Sequence, residues 1–150
     1  MKKILSVILS VLLCLAMCVP AFAADDLALG AADVVGSGEA LEDGFTVEDE
    51  LIVYGNARST SKTASKVRTI KSGSTTVATI TLTGTFSYTG SSVSVVSKSV
   101  TKTLADGWSY TQSSLTTSGG TITLNGSVSK LLLKYSFTLT LTCDKNGNIS

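Results

Sequence analysis

Apolar residues recur at every second position through two long stretches of this chain. Ile80, Leu82, Gly84, Phe86 and Tyr88 share one parity, while Thr79, Thr81, Thr83, Thr85 and Ser87 share the other. A period of two predicts a half-buried strand with β-branched hydroxyl residues toward water. Leu131, Leu133, Tyr135, Phe137, Leu139, Leu141 and Cys143 likewise alternate with Lys134, Ser136, Thr138, Thr140 and Thr142, which predicts a final strand. Thr89-Gly90-Ser91-Ser92, Ala105-Asp106-Gly107 and Ser118-Gly119-Gly120 have turn chemistry, and they bound strands predicted over residues 93–104 and 108–117. In the first of these the apolar phase slips between Val95 and Val96, as a bulge requires. The reversal between residues 121 and 130 is expected at Asn125-Gly126, a two-residue hairpin signal, or nearer Ser129-Lys130.

Shorter strand patterns at residues 51–55 and 65–71 bring the expected total to six or seven. The class this predicts is all-β, an antiparallel β-sandwich of immunoglobulin-like or similar type. No internal repeat points to a solenoid or propeller.

The first residues follow a different pattern. Lys2 and Lys3 precede an apolar run over residues 4–19, followed by Pro20 and the small-x-small sequence Ala21-Phe22-Ala23. This is the form of an export signal, so residues 1–23 are expected to be removed by a cut between Ala23 and Ala24. A retained anchor is the alternative, but the run falls short of the ~20 apolar residues that span a bilayer. Cys14 follows Leu13 and Cys18 follows Met17, and neither setting suits lipid attachment. The expected product is secreted and extracellular, with no transmembrane segment.

Charge then divides the remainder. Residues 24–50 contain nine acids and no base, whereas residues 51–150 contain ten Lys or Arg and two acids, Asp106 and Asp144. The near-neutral whole therefore joins opposed halves. With four glycines and scattered Ala and Leu, residues 24–50 have the composition of a mobile acidic leader, which sets the expected boundary of the Ser/Thr-rich domain at Leu51.

Composition also narrows the chemistry. The chain has no His, and after the export signal its one cysteine is Cys143, so neither a disulfide framework nor a His-based catalytic or metal site can be built. A Ser nucleophile lacks its usual base, and Ser59-Thr60-Ser61-Lys62 has only more Ser, Thr and Lys around it. Asp106 and Asp144 fall at opposite ends of the predicted sandwich, too far apart for a pair of glycosidase carboxyls. Asp144-Lys145-Asn146-Gly147-Asn148 has the alternating oxygen side chains that open a calcium loop, but no bidentate acid follows by Ser150, and the segment reads as a turn. No enzyme activity, cofactor or metal is expected.

Two binding readings remain. Trp108 and Tyr110 share a strand face beside the Asp106-Gly107 turn; exposed, they can stack on sugar rings, and buried, Trp108 fills the core. Arg58, Lys62, Lys66, Arg68 and Lys71 are five bases within fourteen residues with no acid among them, joined later by Lys98, Lys102, Lys130 and Lys134. Such a surface attracts anionic polymers or headgroups, and the same lysines also protect edge strands from aggregation.

The layout of export signal, leader and β domain, with Thr81-Leu82-Thr83-Gly84-Thr85-Phe86-Ser87-Tyr88 and Cys143-Asp144-Lys145-Asn146-Gly147-Asn148, resembles short uncharacterised secreted β-rich proteins of Gram-positive gut bacteria. The resemblance covers about residues 75–150 and implies no activity or catalytic residue. The functional expectation is a non-catalytic sandwich that binds at or near the bacterial cell surface, with an anionic envelope polymer or glycan as partner. The alternative is a secreted antagonist or bacteriocin-like effector whose acidic leader masks the basic domain.

Overall fold

The computed structural model describes residues 37–40, 44–55 and 59–150. The expected export signal and Arg58 lie outside these residues. Seven strands of ten to fourteen residues form an antiparallel sandwich: β2 (Phe45–Tyr54), β3 (Ser61–Ser72), β4 (Thr75–Tyr88) and β5 (Val93–Leu104) in one sheet, and β6 (Ser109–Ser118), β7 (Thr121–Lys130) and β8 (Leu133–Thr142) in the other. A four-residue strand, β1 (Ser37–Ala40), extends the larger sheet beyond β2. Within each sheet, sequence neighbours are sheet neighbours, and the chain changes sheets only between β5 and β6, so each sheet is a plain meander and lacks the Greek-key crossover of immunoglobulin domains.

The period-two pattern of β4 becomes the centre of the core. Ala78, Ile80, Leu82, Phe86 and Tyr88 are buried, and they face Ile122, Leu124 and Val128 of β7 with Phe137, Leu139 and Leu141 of β8. Polar groups tie the flanks. Arg68 Nη1 donates to the Thr138 carbonyl across 3.1 Å, and Lys98 Nζ donates to the Leu115 carbonyl across 3.1 Å. These contacts set β3 against β8, β4 against β7 and β5 against β6. The outer faces are rich in Ser and Thr, some of them hydrogen-bonded across strands, as Thr63 is to Thr85 and Ser65 to Thr83.

Three local expectations are corrected. The domain does not begin at Leu51: β2 starts at Phe45, whose ring is 1% exposed, and Val47 is buried beside it. The acids around them concealed the alternation of Phe45, Val47, Leu51 and Val53; Asp49, at an inward position of that pattern, is neutralised by Arg68 directly across the ladder. The reversal before β8 does not occur at Asn125-Gly126; it falls directly after Ser129-Lys130, near the second expected position. Lys130 pairs with Leu133, so the turn is Leu131 and Leu132, and Leu131 is not part of the last strand. Asn125 and Gly126 sit within β7, where a Cβ on Gly126 would approach the Phe137 ring, the Tyr110 ring and the Thr111 carbonyl to 3.1 Å each. That glycine therefore serves packing. The expected bulge in β5 is present: Phe86 pairs with Val95 and Thr85 with Ser97, and Val96 bulges outward between them.

Candidate functional site

Trp108 and Tyr110 follow the β5–β6 turn and point toward the sandwich interior. Trp108 is half-buried, its ring 5.9 Å from that of Phe45 in an edge-to-face arrangement at 81°. Tyr110 is stacked 6.4 Å from Phe137, and Lys102 Nζ lies 4.8 Å from its ring centroid. Burial pushes the Tyr110 hydroxyl above its ordinary pKa. Each ring thus spends a face on protein contacts at the rim of the core.

The bases of β3 are divided by strand alternation. Lys62, Lys66 and Arg68 share the inward parity of Ala64 and Ile70, while Lys71 takes the outward one. Lys62 Nζ donates to the Gly147 carbonyl across 2.8 Å and lies 5.7 Å from the Tyr88 ring centroid. Lys66 is half-buried between Leu51 and Leu82 in the register. Arg68 forms a bidentate pair with Asp49, its Nε at 2.6 Å from Oδ1, and its guanidinium is 5.9 Å from the Phe137 ring. Lys71 Nζ meets Glu48 at 2.6 Å on the opposite face. Lys62 and Arg68 thus lie against aromatic rings while their charged heads meet protein oxygens. The four described bases of the sequence cluster therefore do not converge on one surface.

Sequence reasoning missed a shallow depression of about 300 Å³ on the smaller sheet. Ser113, Asn125, Ser127, Lys134, Ser136 and Thr138 supply its polar lining. The register explains the grouping: Asn125 pairs with Thr138, Ser127 with Ser136 and Ser129 with Lys134, while the β6 bulge between Gln112 and Ser114 sets Ser113 at the margin. Asn125 is fixed at both ends, since Nδ2 donates to Ser114 Oγ across 2.9 Å and Oδ1 accepts from Thr138 Oγ1 across 2.7 Å. The outward parity of β8 was legible in the sequence, but residues 121–130 were expected to hold a reversal, and neither β7 as one strand nor the register that aligns these groups was legible.

The two acids of the basic region are widely separated. Lys130 Nζ reaches the Asp106 carbonyl oxygen at 3.0 Å, so Asp106 lies near the start of β8, whereas Asp144 follows its end, roughly 30 Å away at strand rise. The Asp144 carboxylate accepts hydrogen bonds from the Asn146 and Asn148 backbone and from Asn148 Nδ2, the pattern of an Asx turn. Among the described residues no three His, Cys, Asp or Glu side chains are grouped to hold a metal ion, and no helix is long and apolar enough to cross a membrane. Comparisons with protein-family models, with curated proteins and with solved structures found no match.

Proposed function

We propose that this chain is an exported, non-catalytic β-sandwich that acts by binding at or near the bacterial cell surface, and that its ligand is an anionic, hydroxyl-rich envelope polymer or glycan. The observation that supports this reading is the depression on the smaller sheet, where hydroxyls and an oriented amide surround one ammonium, that of Lys134. Sugar and polyol hydroxyls exchange hydrogen bonds with Ser, Thr and Asn, and a carboxylate or phosphate on the same unit complements Lys134. A rigid sheet holds these groups in a fixed array, which keeps the ordering cost of binding low.

Retention of the chain from Ala24 on immobilised polygalacturonate, a uronic acid polymer, against neutral dextran tests the reading. Retention on the acidic polymer should fall as salt rises and fall further in Lys134→Glu. Equal retention of wild type and Lys134→Glu would refute it.

The effector reading draws on one observation. Two acids of the N-terminal stretch, Glu48 and Asp49, pair with Lys71 and Arg68. Those acids belong to β2, whose Phe45 and Val47 are core residues, so a maturation cut compatible with this fold precedes Phe45 and spares both pairs.

A further inference from the structure

The β7–β8 hairpin turns on two leucines. Leu131 is 97% exposed and Leu132 101%, and Leu133 beside them is exposed as well. Leu131 also holds a φ of +54°, in the left-handed region that side chains other than Gly and Asn rarely occupy. It is the first of two loop positions, where a hairpin with positive φ ordinarily takes glycine. Among the described residues every other positive-φ position is a glycine, including Gly73, Gly90, Gly107, Gly119 and Gly147 in the remaining turns. Among the described turns this one alone accepts a side chain at positive φ, and it places two leucines in water, and neither choice serves the fold.

The surroundings indicate what the leucines meet. Lys130 and Lys134 flank the apex, and strand alternation puts one on each side of the hairpin. Lys130 bridges to the Asp106 carbonyl, which brings the β5–β6 turn and the half-buried Trp108 to the same end of the sandwich. Apolar surface at this end is a narrow projection with a basic collar. A protein partner of ordinary size covers about 800 Å² of fairly flat surface on each side, far more than two side chains offer. A bilayer makes no such demand: leucines enter the acyl boundary, ammonium groups remain at the phosphates, and an indole suits the interface.

We propose that the β7–β8 hairpin is a membrane-interface anchor, in which Leu131 and Leu132 insert at the headgroup boundary of an anionic bilayer while Lys130 and Lys134 lie against its phosphates. Withdrawing a leucine from water is worth on the order of tenfold or more in partitioning, and a lysine at an anionic surface about fivefold. The resulting attachment is reversible, like that of a single acyl chain.

The test uses the chain from Ala24, which keeps every described strand and lacks the apolar residues 4–19 that would bind lipid themselves. Co-sedimentation with vesicles of equal parts phosphatidylglycerol and phosphatidylcholine should show binding that is weaker on pure phosphatidylcholine. The double variant Leu131→Gly, Leu132→Asn supplies ordinary turn chemistry, so it should melt at or above the wild-type temperature while vesicle affinity falls on the order of 100-fold. Leu132→Ser should lose about tenfold, a second readout that leaves Leu131 in place. Retention on polygalacturonate should survive both leucine changes, which separates failure of this proposal from failure of the polymer reading. Absence of vesicle binding by wild type, or equal binding by the double variant, would overturn the anchor. So would a wild-type dimer that the double variant converts to monomer without any change in vesicle binding, since the leucines would then serve self-association.

Discussion

Gly84 on β4 faces the δ-methyl of Ile122 on β7 with no room for a Cβ between them, and the Phe86 ring closes the same space at 3.0 Å. The backbone at Gly84 is ordinary strand, outside the positive-φ positions, so the requirement there is spatial. Gly84→Ala should therefore lower stability by about 1–3 kcal/mol through overpacking between the sheets. Urea denaturation measures this, and an unchanged midpoint would mean the sheets are farther apart in solution.

Phe45 links the acidic stretch to the core. It sits edge-on to Trp108 and is stacked 5.5 Å from Tyr135, so one residue of β2 joins both ends of the smaller sheet's aromatic rim. Phe45→Ala should cost ~3–5 kcal/mol. Trp108→Ala should cost less because its ring is only half-buried, and the double variant should fall short of the sum, since edge-to-face pairs carry about 0.5–1.5 kcal/mol of their own. A chain starting at Leu51 lacks Phe45, Val47 and Asp49 together and should lose cooperative melting, whereas one starting at Ser37 should keep it. Retained cooperativity in the Leu51 chain would show that β2 is dispensable.

The contrast between β4 and β2 shows what could be read without coordinates. From Ala78 to Tyr88 on β4 each inward residue is apolar or Gly and each outward one is Ser or Thr, so the alternation declares the strand and its core face. On β2 the same alternation is present, but an inward acid at Asp49 breaks it, and only a view across the ladder to Arg68 shows why that acid is tolerated. Turn chemistry misled for a similar reason. Asn125-Gly126 has the residues of a hairpin but supplies space for Phe137, and Leu131 with Leu132 forms a hairpin with residues that turn rules reject. The depression at Ser127 and Lys134 depends on register between strands, which the alternation within one strand leaves open.

Cys143 continues the inward face of β8 and is 1% exposed, with Sγ 3.4 Å from the Asp144 carbonyl. Burial, reinforced by the Asp144 charge, pushes its thiol above the ordinary pKa, while Lys62 pulls the other way. Its reactive thiolate is therefore scarce at neutral pH and inaccessible besides. Native labelling by iodoacetamide should be slow, become rapid in denaturant, and show a pH profile displaced upward from that of a free thiol. Rapid labelling at neutral pH in the folded chain would contradict this placement.

The C-terminal turn should respond to acid through Asp144. Its Oδ1 accepts from the Asn146 and Asn148 amides at 2.8 and 2.9 Å, and its Oδ2 from Asn148 Nδ2 at 2.7 Å. Hydrogen bonds from Asn148, with smaller help from Asn146 and Gly147, hold the carboxyl below its ordinary value of 3.8. A lowered folded-state pKa means that folding favours the ionised form, so the contribution is fully present above the ordinary aspartate value and is lost as pH falls through the lowered one. The turn packs Gly147 against Tyr88 and returns Ile149 to bridge with Cys143, so its loosening in acid should be felt at both. Amide shifts of Asn146 and Asn148 followed by NMR should stay constant down to about pH 4 and then move together with the Asp144 carboxyl. In Asp144→Ala the same amides should exchange faster at neutral pH and show no acid transition of their own. A transition at or above 3.8 in the wild type would mean that the carboxylate is not held by these donors in solution.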